Sequence, residues 1–169
     1  MPGTRTPFPI PFGWFAVGYP EDFATGEAKA IYYFDRHLVA WRDQRGELHV
    51  QDAFCPHLGA HLGHGGTVED CEIQCPFHGW RFDAEGANTD IPYSDRTNRK
   101  GTLRTFPTIE RNGISMVWYH PDEAVAPQWE LSDIYRGMVD FMILQMIGLA
   151  LVFFFPQIAL WLPNLLYGR

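Results

Sequence analysis

CPHLGAHLGHGGTVEDCEIQCPFH, residues 55–78, is the stretch on which the reading of this chain turns. Cys55 is followed two positions later by His57, and Cys75 three positions later by His78, with seventeen residues (58–74) between the two pairs. Thiolates suit soft metals and imidazoles suit zinc, copper and iron. Cys55, His57, Cys75 and His78 are therefore the candidate ligands, offered by two separate loops. Outward from them, before about residue 120, the sequence reads as short strands divided by turns. GWFAVGY (13–19), KAIYYF (29–34), HLVAWR (37–42) and ELHVQDAF (47–54) precede the first loop, and GWRFD (79–83) follows the second. RTFPTIE and ISMVWYH flank Arg111-Asn112-Gly113, where Asn-Gly is a strong hairpin signal. The tight join of 29–34 to 37–42 is expected at Asp35-Arg36. No helix-period segment precedes residue 130.

One tetrahedral zinc or one [2Fe–2S] cluster would satisfy two cysteines and two histidines. Structural zinc sites usually draw both cysteines from one turn and both histidines from one helix. Here each loop supplies one of each, and both loops are β-flanked. If one iron of a binuclear cluster takes the cysteines and the other the histidines, each loop gives one ligand to each iron, which accounts for the mixing.

CPHLG and CPFHGWRFD resemble the two cluster-binding loops of Rieske [2Fe–2S] proteins, and the likeness runs from about Gly13 to about Pro127. The resemblance implies a mainly β chain, a small antiparallel Rieske β-sandwich with two cluster-binding loops. It implies that Cys55 and Cys75 hold one iron and His57 and His78 the other. In high-potential Rieske proteins a disulfide ties the loops, and a serine and a tyrosine donate hydrogen bonds to the sulfurs. Ala60 and Phe77 stand at the disulfide positions here, and Trp80 and Phe82 at the donor positions. Donors to sulfur stabilise the more negative reduced cluster, so their loss places the potential at or near roughly −150 mV. That pattern, with GWFAVG and IPYS, is similar to the N-terminal domain of Rieske non-haem iron oxygenases, in the branch of cholesterol 7-desaturases and 3-ketosteroid 9α-hydroxylases. Such enzymes also carry a mononuclear iron held by two histidines and a carboxylate. Of the seven histidines only His120 lies beyond the loops. The expected function is thus one-electron transfer as a relay domain, truncated before its catalytic domain. The expected electron donor is a ferredoxin or flavin reductase, and the expected acceptor a separate oxygenase subunit. A zinc-binding, non-enzymatic module stays open as the alternative.

The 169 residues carry a net charge of −7, which argues against a nucleic-acid partner. Three cysteines make a poor disulfide framework, and two sit beside histidines, which suits a reducing compartment. MPGTRTPFPI has no long apolar core, so no signal peptide is expected. Residues 1–132 hold 18 acidic and 11 basic side chains, the whole of the net charge. That balance would steer a basic electron donor at low ionic strength. The basic stretch DRTNRK (95–100), with Arg104, is a candidate dock for a partner subunit or a solvated loop. His61 and His64 read as solvated loop histidines, and Cys71 as a free thiol at a strand edge.

The chain divides into 1–130, the metal-binding domain, and 131–169, a connector and one apolar helix. FMILQMIGLALVFFFPQIALWLP (141–163) runs 23 residues without a charge, with Trp161 and Tyr167 near one end. As a helix it covers about 35 Å, enough for a hydrocarbon core of about 30 Å. A transmembrane helix is expected, with the metal-binding domain on the cytoplasmic side and Pro156 as a kink. Residues 134–166 also resemble the last helix of the large membrane subunit of TRAP transporters. A fragment of a transporter fusion is therefore a further alternative.

Overall fold

The computed structural model describes residues 10–127, 131–157 and 160. It falls into two compact units that part between Val125 and Ala126. The first is built from eleven strands in three sheets, with one 3-10 turn at Pro20–Asp22. The central sheet has the order β2 (Ala28–Tyr33), β3 (Arg36–Arg42), β4 (Leu48–Asp52), β9 (Thr105–Phe106), and every pairing in it is antiparallel.

Strand β3 shows why the unit has two cores. His37-Leu38-Val39-Ala40-Trp41 is almost unbroken in its hydrophobicity, and a strand buried on both faces needs no polar alternation. Leu38 and Ala40 face one core with Leu48, Val50, Phe106, Val17 and Val117. The last two belong to β1 (Gly13–Gly18) and β11 (Ile114–Tyr119), which with β10 (Thr108–Arg111) form the base sheet. Val39 and Trp41 face the other core, with Val68, Ile73 and Phe82. Those three come from β5 (Thr67–Glu69), β6 (Glu72–Gln74) and β7 (Arg81–Phe82), which with β8 (Asn88–Asp90) make the third sheet. The expected antiparallel β architecture is present, as three layers rather than two. Trp41 and Phe82 are fully buried, and each such side chain contributes about 2–3 kcal/mol.

Three details depart from the expectations. The β2–β3 turn is centred on Phe34-Asp35, one residue earlier than Asp35-Arg36, and both adopt left-handed backbone (φ 57° and 58°). For a bulky residue this costs about 1–2 kcal/mol. Phe34 is held there because its ring stacks 4.2 Å from Tyr119 and meets Phe15 edge-on at 5.0 Å. The hairpin β5–β6 lies between the two cysteine–histidine loops, where alternation is too short to see; Asp70 (φ 53°) makes its turn. Gln51 is fully buried. It accepts from Trp41 Nε1 (3.1 Å) and donates to the carbonyls of Asp83 (2.8 Å) and Ala84 (3.2 Å). That network ties the central sheet to the turn after β7.

The Asn112-Gly113 hairpin is as expected, with φ of 53° and 74°. Across the two sheets, Arg42 meets both oxygens of Glu110 at 3.0 and 2.6 Å.

The second unit contains one helix, α1 (Leu131–Phe154). It begins before the expected apolar run and stops short of its end. Pro156 lacks an N–H and disfavours helical backbone at Phe155, so the helix is interrupted at residues 155–156, and helical backbone returns at Gln157 and Leu160, as the expected kink requires. Leu160 N–H does bond the carbonyl of Pro156 (3.0 Å). Residues 161–163 of the expected span, and Trp161 and Tyr167, lie outside the described residues. The 20 residues Tyr135–Phe154 have a mean hydropathy of 2.0 and none of them is buried. By length and composition this one helix is able to cross a membrane, which is a weak indication of membrane association.

Candidate metal centre

The two cysteine–histidine loops leave the ends of strands β4 and β6 and have the same backbone frame. In the first, Cys55 N–H donates to the carbonyl of Ala60 (2.9 Å) and Gly59 N–H returns to the carbonyl of Cys55 (2.9 Å). In the second, Cys75 N–H donates to the carbonyl of Trp80 (2.8 Å) and Gly79 N–H to that of Cys75 (3.1 Å). Both glycines are left-handed, with φ of 75° and 73°, a conformation that a side chain disfavours. The frames match residue for residue, yet the histidine is the third residue of one and the fourth of the other.

The result is a layered site. Cys55 and Cys75 lie deep, at 2% and 4% exposure, within the upper core. Their side chains interact directly, and the backbone N–H groups of His57 and Leu58 point at the Cys55 sulfur. Burial, chiefly, and the neighbouring Cys75 push the Cys55 thiol up to about 11. Without a cation the Cys55 thiol is therefore held protonated, and a bound metal would supply the charge that a thiolate needs. His57 and His78 lie outside the cysteines, half-buried, with ring centroids 4.8 Å apart. Nδ1 of His57 is buried and meets no hydrogen-bond partner among the described residues. A buried polar atom left this way is costly unless something binds it.

Aromatic rings line the rest. Trp80 stacks flat on His57, at 4.6 Å and 4°, and its Nε1–H donates to Tyr93 Oη at 2.6 Å. Phe77 covers His78 at 3.9 Å and is itself exposed. Phe82 is fully buried below Trp80. The three cysteines are free, so no disulfide links the loops, as Ala60 and Phe77 require.

The other singled-out residues separate. His64 is exposed, as expected of a loop histidine. His61 is not: it is half-buried, its Nδ1 accepts from Gly63 N–H (3.1 Å), and its Nε2 is buried. Burial, with His64 and His37 close by, holds its pKa below the usual histidine value. Cys71 lies in the β5–β6 turn, half-buried, away from the ligand loops. Arg104 is occupied by Glu123 (3.0 Å) and by the face of Phe106 (4.6 Å), so it does not extend the basic stretch 95–100. IPYS is singled out by resemblance, but nothing in it shows that Tyr93 meets Trp80, thirteen positions away.

The family model for the Rieske [2Fe-2S] domain matches residues 13–107. The chain is 38% identical over 146 residues to a cholesterol 7-desaturase of Bombyx mori, covering 82% of this chain and 32% of that protein. It is 40% identical over 120 residues to the oxygenase component of a 3-ketosteroid-9-alpha-monooxygenase of Rhodococcus rhodochrous, covering 71% and 31%. Among solved structures, dicamba monooxygenase superposes with a TM-score of 0.63 at 27% identity, covering 68% of this chain and 36% of that one. The chain thus spans about a third of the length of the curated relatives it matches. The comparisons lend no support to the transporter likeness of residues 134–166. The chain belongs to the Rieske [2Fe–2S] family, whose members carry a Rieske-type cluster.

Proposed function

We propose that this Rieske-family chain is the electron-relay portion of a sterol- or steroid-directed oxygenase, with Cys55, Cys75, His57 and His78 as the cluster ligands. The observation that supports it most is the layering of two buried cysteines beneath two adjoining imidazoles, one of each from each loop, with Nδ1 of His57 left unpartnered. A single zinc would draw four ligand atoms to one point. Among the described residues, the one group of three or more ligand atoms all within 4.8 Å of one another is Asp43, Glu47 and His49, away from the loops. A [2Fe–2S] cluster, when bound, supplies a one-electron couple. The chain's own part is to bury the thiolate side, hold the imidazole side near solvent, and offer the sulfurs no hydrogen bond from the side chains of Trp80 and Phe82. Trp80 spends its N–H on Tyr93 Oη and Phe82 has none to give, which favours a low potential.

The donor we envisage is a ferredoxin or flavin reductase, and the acceptor a mononuclear iron site on polypeptide outside these 169 residues. The names of the two relatives point to a sterol or steroid as the eventual substrate. The helix Tyr135–Phe154, about 30 Å long at roughly 1.5 Å per residue, would anchor the relay to a membrane, with the β unit on the cytoplasmic side.

Iron and sulfide analysis of the full chain tests the reading, together with electron paramagnetic resonance after reduction. Two irons and two sulfides with a Rieske-type signal, at a potential of about −150 mV, are expected. A colourless protein with one zinc would overturn it. Extraction by alkaline carbonate tests the anchor, since a spanning helix stays with the membrane pellet.

A further inference from the structure

We propose that the loop Pro92–Gly101 is the docking face for an acidic, one-electron donor protein, and that the electron enters through Tyr93 and Trp80 to His57. The proposal rests on the relay function above and adds where the donor binds and what charge it carries.

Three observations converge on this loop. First, it is anchored at both ends on groups that touch the ligands. Tyr93 Oη accepts from Trp80 Nε1 at 2.6 Å. A Cβ on Gly101 would lie 3.2 Å from the Trp80 ring, and one on Gly79 would lie 2.9 Å from Pro92. Second, the indole so bracketed stacks on His57 at 4.6 Å with the planes 4° apart. Tyr93 is 61% exposed, so the aromatic contacts run from solvent to a ligand ring through one indole.

Third, the charge is of the opposite sign to the rest of the unit. Between its anchors the loop carries Arg96, Arg99 and Lys100 against Asp95, all exposed. None of the three cations has an ion pair with another described residue, whereas Arg36, Arg42, Arg81 and Arg104 all do. Asn98 stiffens the tip: its N–H bonds Asn88 Oδ1 (2.8 Å), and it receives the N–H groups of Lys100 (3.1 Å) and Gly101 (3.0 Å). The ligand loops 55–59 and 75–79 and the stretch 61–66 between them carry no formal charge. The charge offered at this edge of the site is therefore positive, although the chain as a whole is at −7. Net charge would have selected a basic donor; local charge selects an acidic one. Docking steered by opposite charge raises association rates about 10- to 1,000-fold and weakens with salt. In the step itself one electron leaves the donor and is taken up at the Cys55/Cys75/His57/His78 centre, and no bond forms or breaks.

The test is stopped-flow reduction of the cluster-loaded full chain by two reductants, a reduced acidic plant-type [2Fe–2S] ferredoxin and photoreduced deazaflavin, a small reductant. The triple variant Arg96→Glu, Arg99→Glu, Lys100→Glu should lose about tenfold or more in bimolecular rate with ferredoxin at low salt. The difference should shrink as salt is raised, and the deazaflavin rate should be unchanged. Tyr93→Ala should keep the salt dependence and lose rate at saturating ferredoxin. Equal ferredoxin rates for wild type and triple variant would overturn the proposal. So would an equal loss with both reductants, which would mean that the loop shapes the centre and does not receive the donor. So would slowed reoxidation by an acceptor with normal ferredoxin reduction. Failure of the relay reading is distinguishable, because it appears earlier, as the absence of a Rieske-type signal in the wild type.

Discussion

The two ligand loops are the same backbone drawn twice and furnished differently. Residues 55–60 and 75–80 share both hydrogen bonds and the left-handed glycine. They differ at the last position, where the first has Ala60 and the second Trp80, and in the offset of the histidine. Trp80 reaches across to cover His57 of the other loop, while His78 meets His57 on one side and the exposed Phe77 on another. A common frame therefore sets where the ligands emerge, and the side chain at the frame's end decides how each imidazole meets solvent. His78 and the Trp80-covered His57 thus have different neighbours, and the basic loop beside Trp80 adjoins the covered one.

The largest expected effect treats the loops as equal. Cys55→Ser and Cys75→Ser should each abolish the cluster, read as loss of bound iron and of the reduced-state signal; retention of a normal signal in either would break the proposed ligand set. The next separates them. Trp80→Ala should cost about 3 kcal/mol in unfolding free energy, because it empties the cover of His57. Ala60→Gly, at the matching position, should cost about 1 kcal/mol or less. Equal costs in denaturant titrations would mean that the frame, not its end residue, carries the stability.

The third prediction concerns the ion pair that joins the central sheet to the base sheet. Arg42 is almost buried against Glu110, and the guanidinium holds the Glu110 carboxyl below the usual carboxylate range. A carboxyl with a depressed folded-state pKa stabilises the fold above its unfolded pKa, and that share is lost as pH falls through the folded value. Glu110→Gln should therefore cost about 2 kcal/mol at pH 7, and the gap to wild type should narrow in acid below about pH 4.5. A gap independent of pH would remove the ion pair from the account.

The smallest effect returns to the shared glycines. Gly59 and Gly79 have nearly the same φ, but a Cβ at 59 meets nothing within 4 Å, while one at 79 lies 2.9 Å from Pro92 Cγ. Gly59→Ala should cost only the backbone strain, about 1 kcal/mol, and Gly79→Ala measurably more, with a shift of the loop that carries Tyr93. Identical midpoints for the two variants would show that Pro92 yields freely.

Much of this was legible in the sequence because it is local. Cysteine and histidine types with their spacing name the chemistry, and Asn112-Gly113 names its hairpin. The position of the β2–β3 turn was not legible. Phe34 is a poor left-handed residue by itself and is held by Tyr119, Phe15 and Phe106 from distant strands. The break after Phe154 was legible from Pro156, with helical backbone again at Gln157 and Leu160.

The sequence by itself determined the four ligand candidates, the lack of a serine or tyrosine at positions 80 and 82, and the apolar tail, since each depends on residue type and near neighbours. Only the tertiary structure decided that the loops are congruent, that His61 is half-buried while His64 is not, and that Arg104 is occupied elsewhere. It also decided that Tyr93 and the cations of 96–100 stand beside the Trp80 that covers His57. These are contacts between residues 13 to 24 positions apart. Local propensity carries no information about them, because burial and packing are settled only when the sheets close.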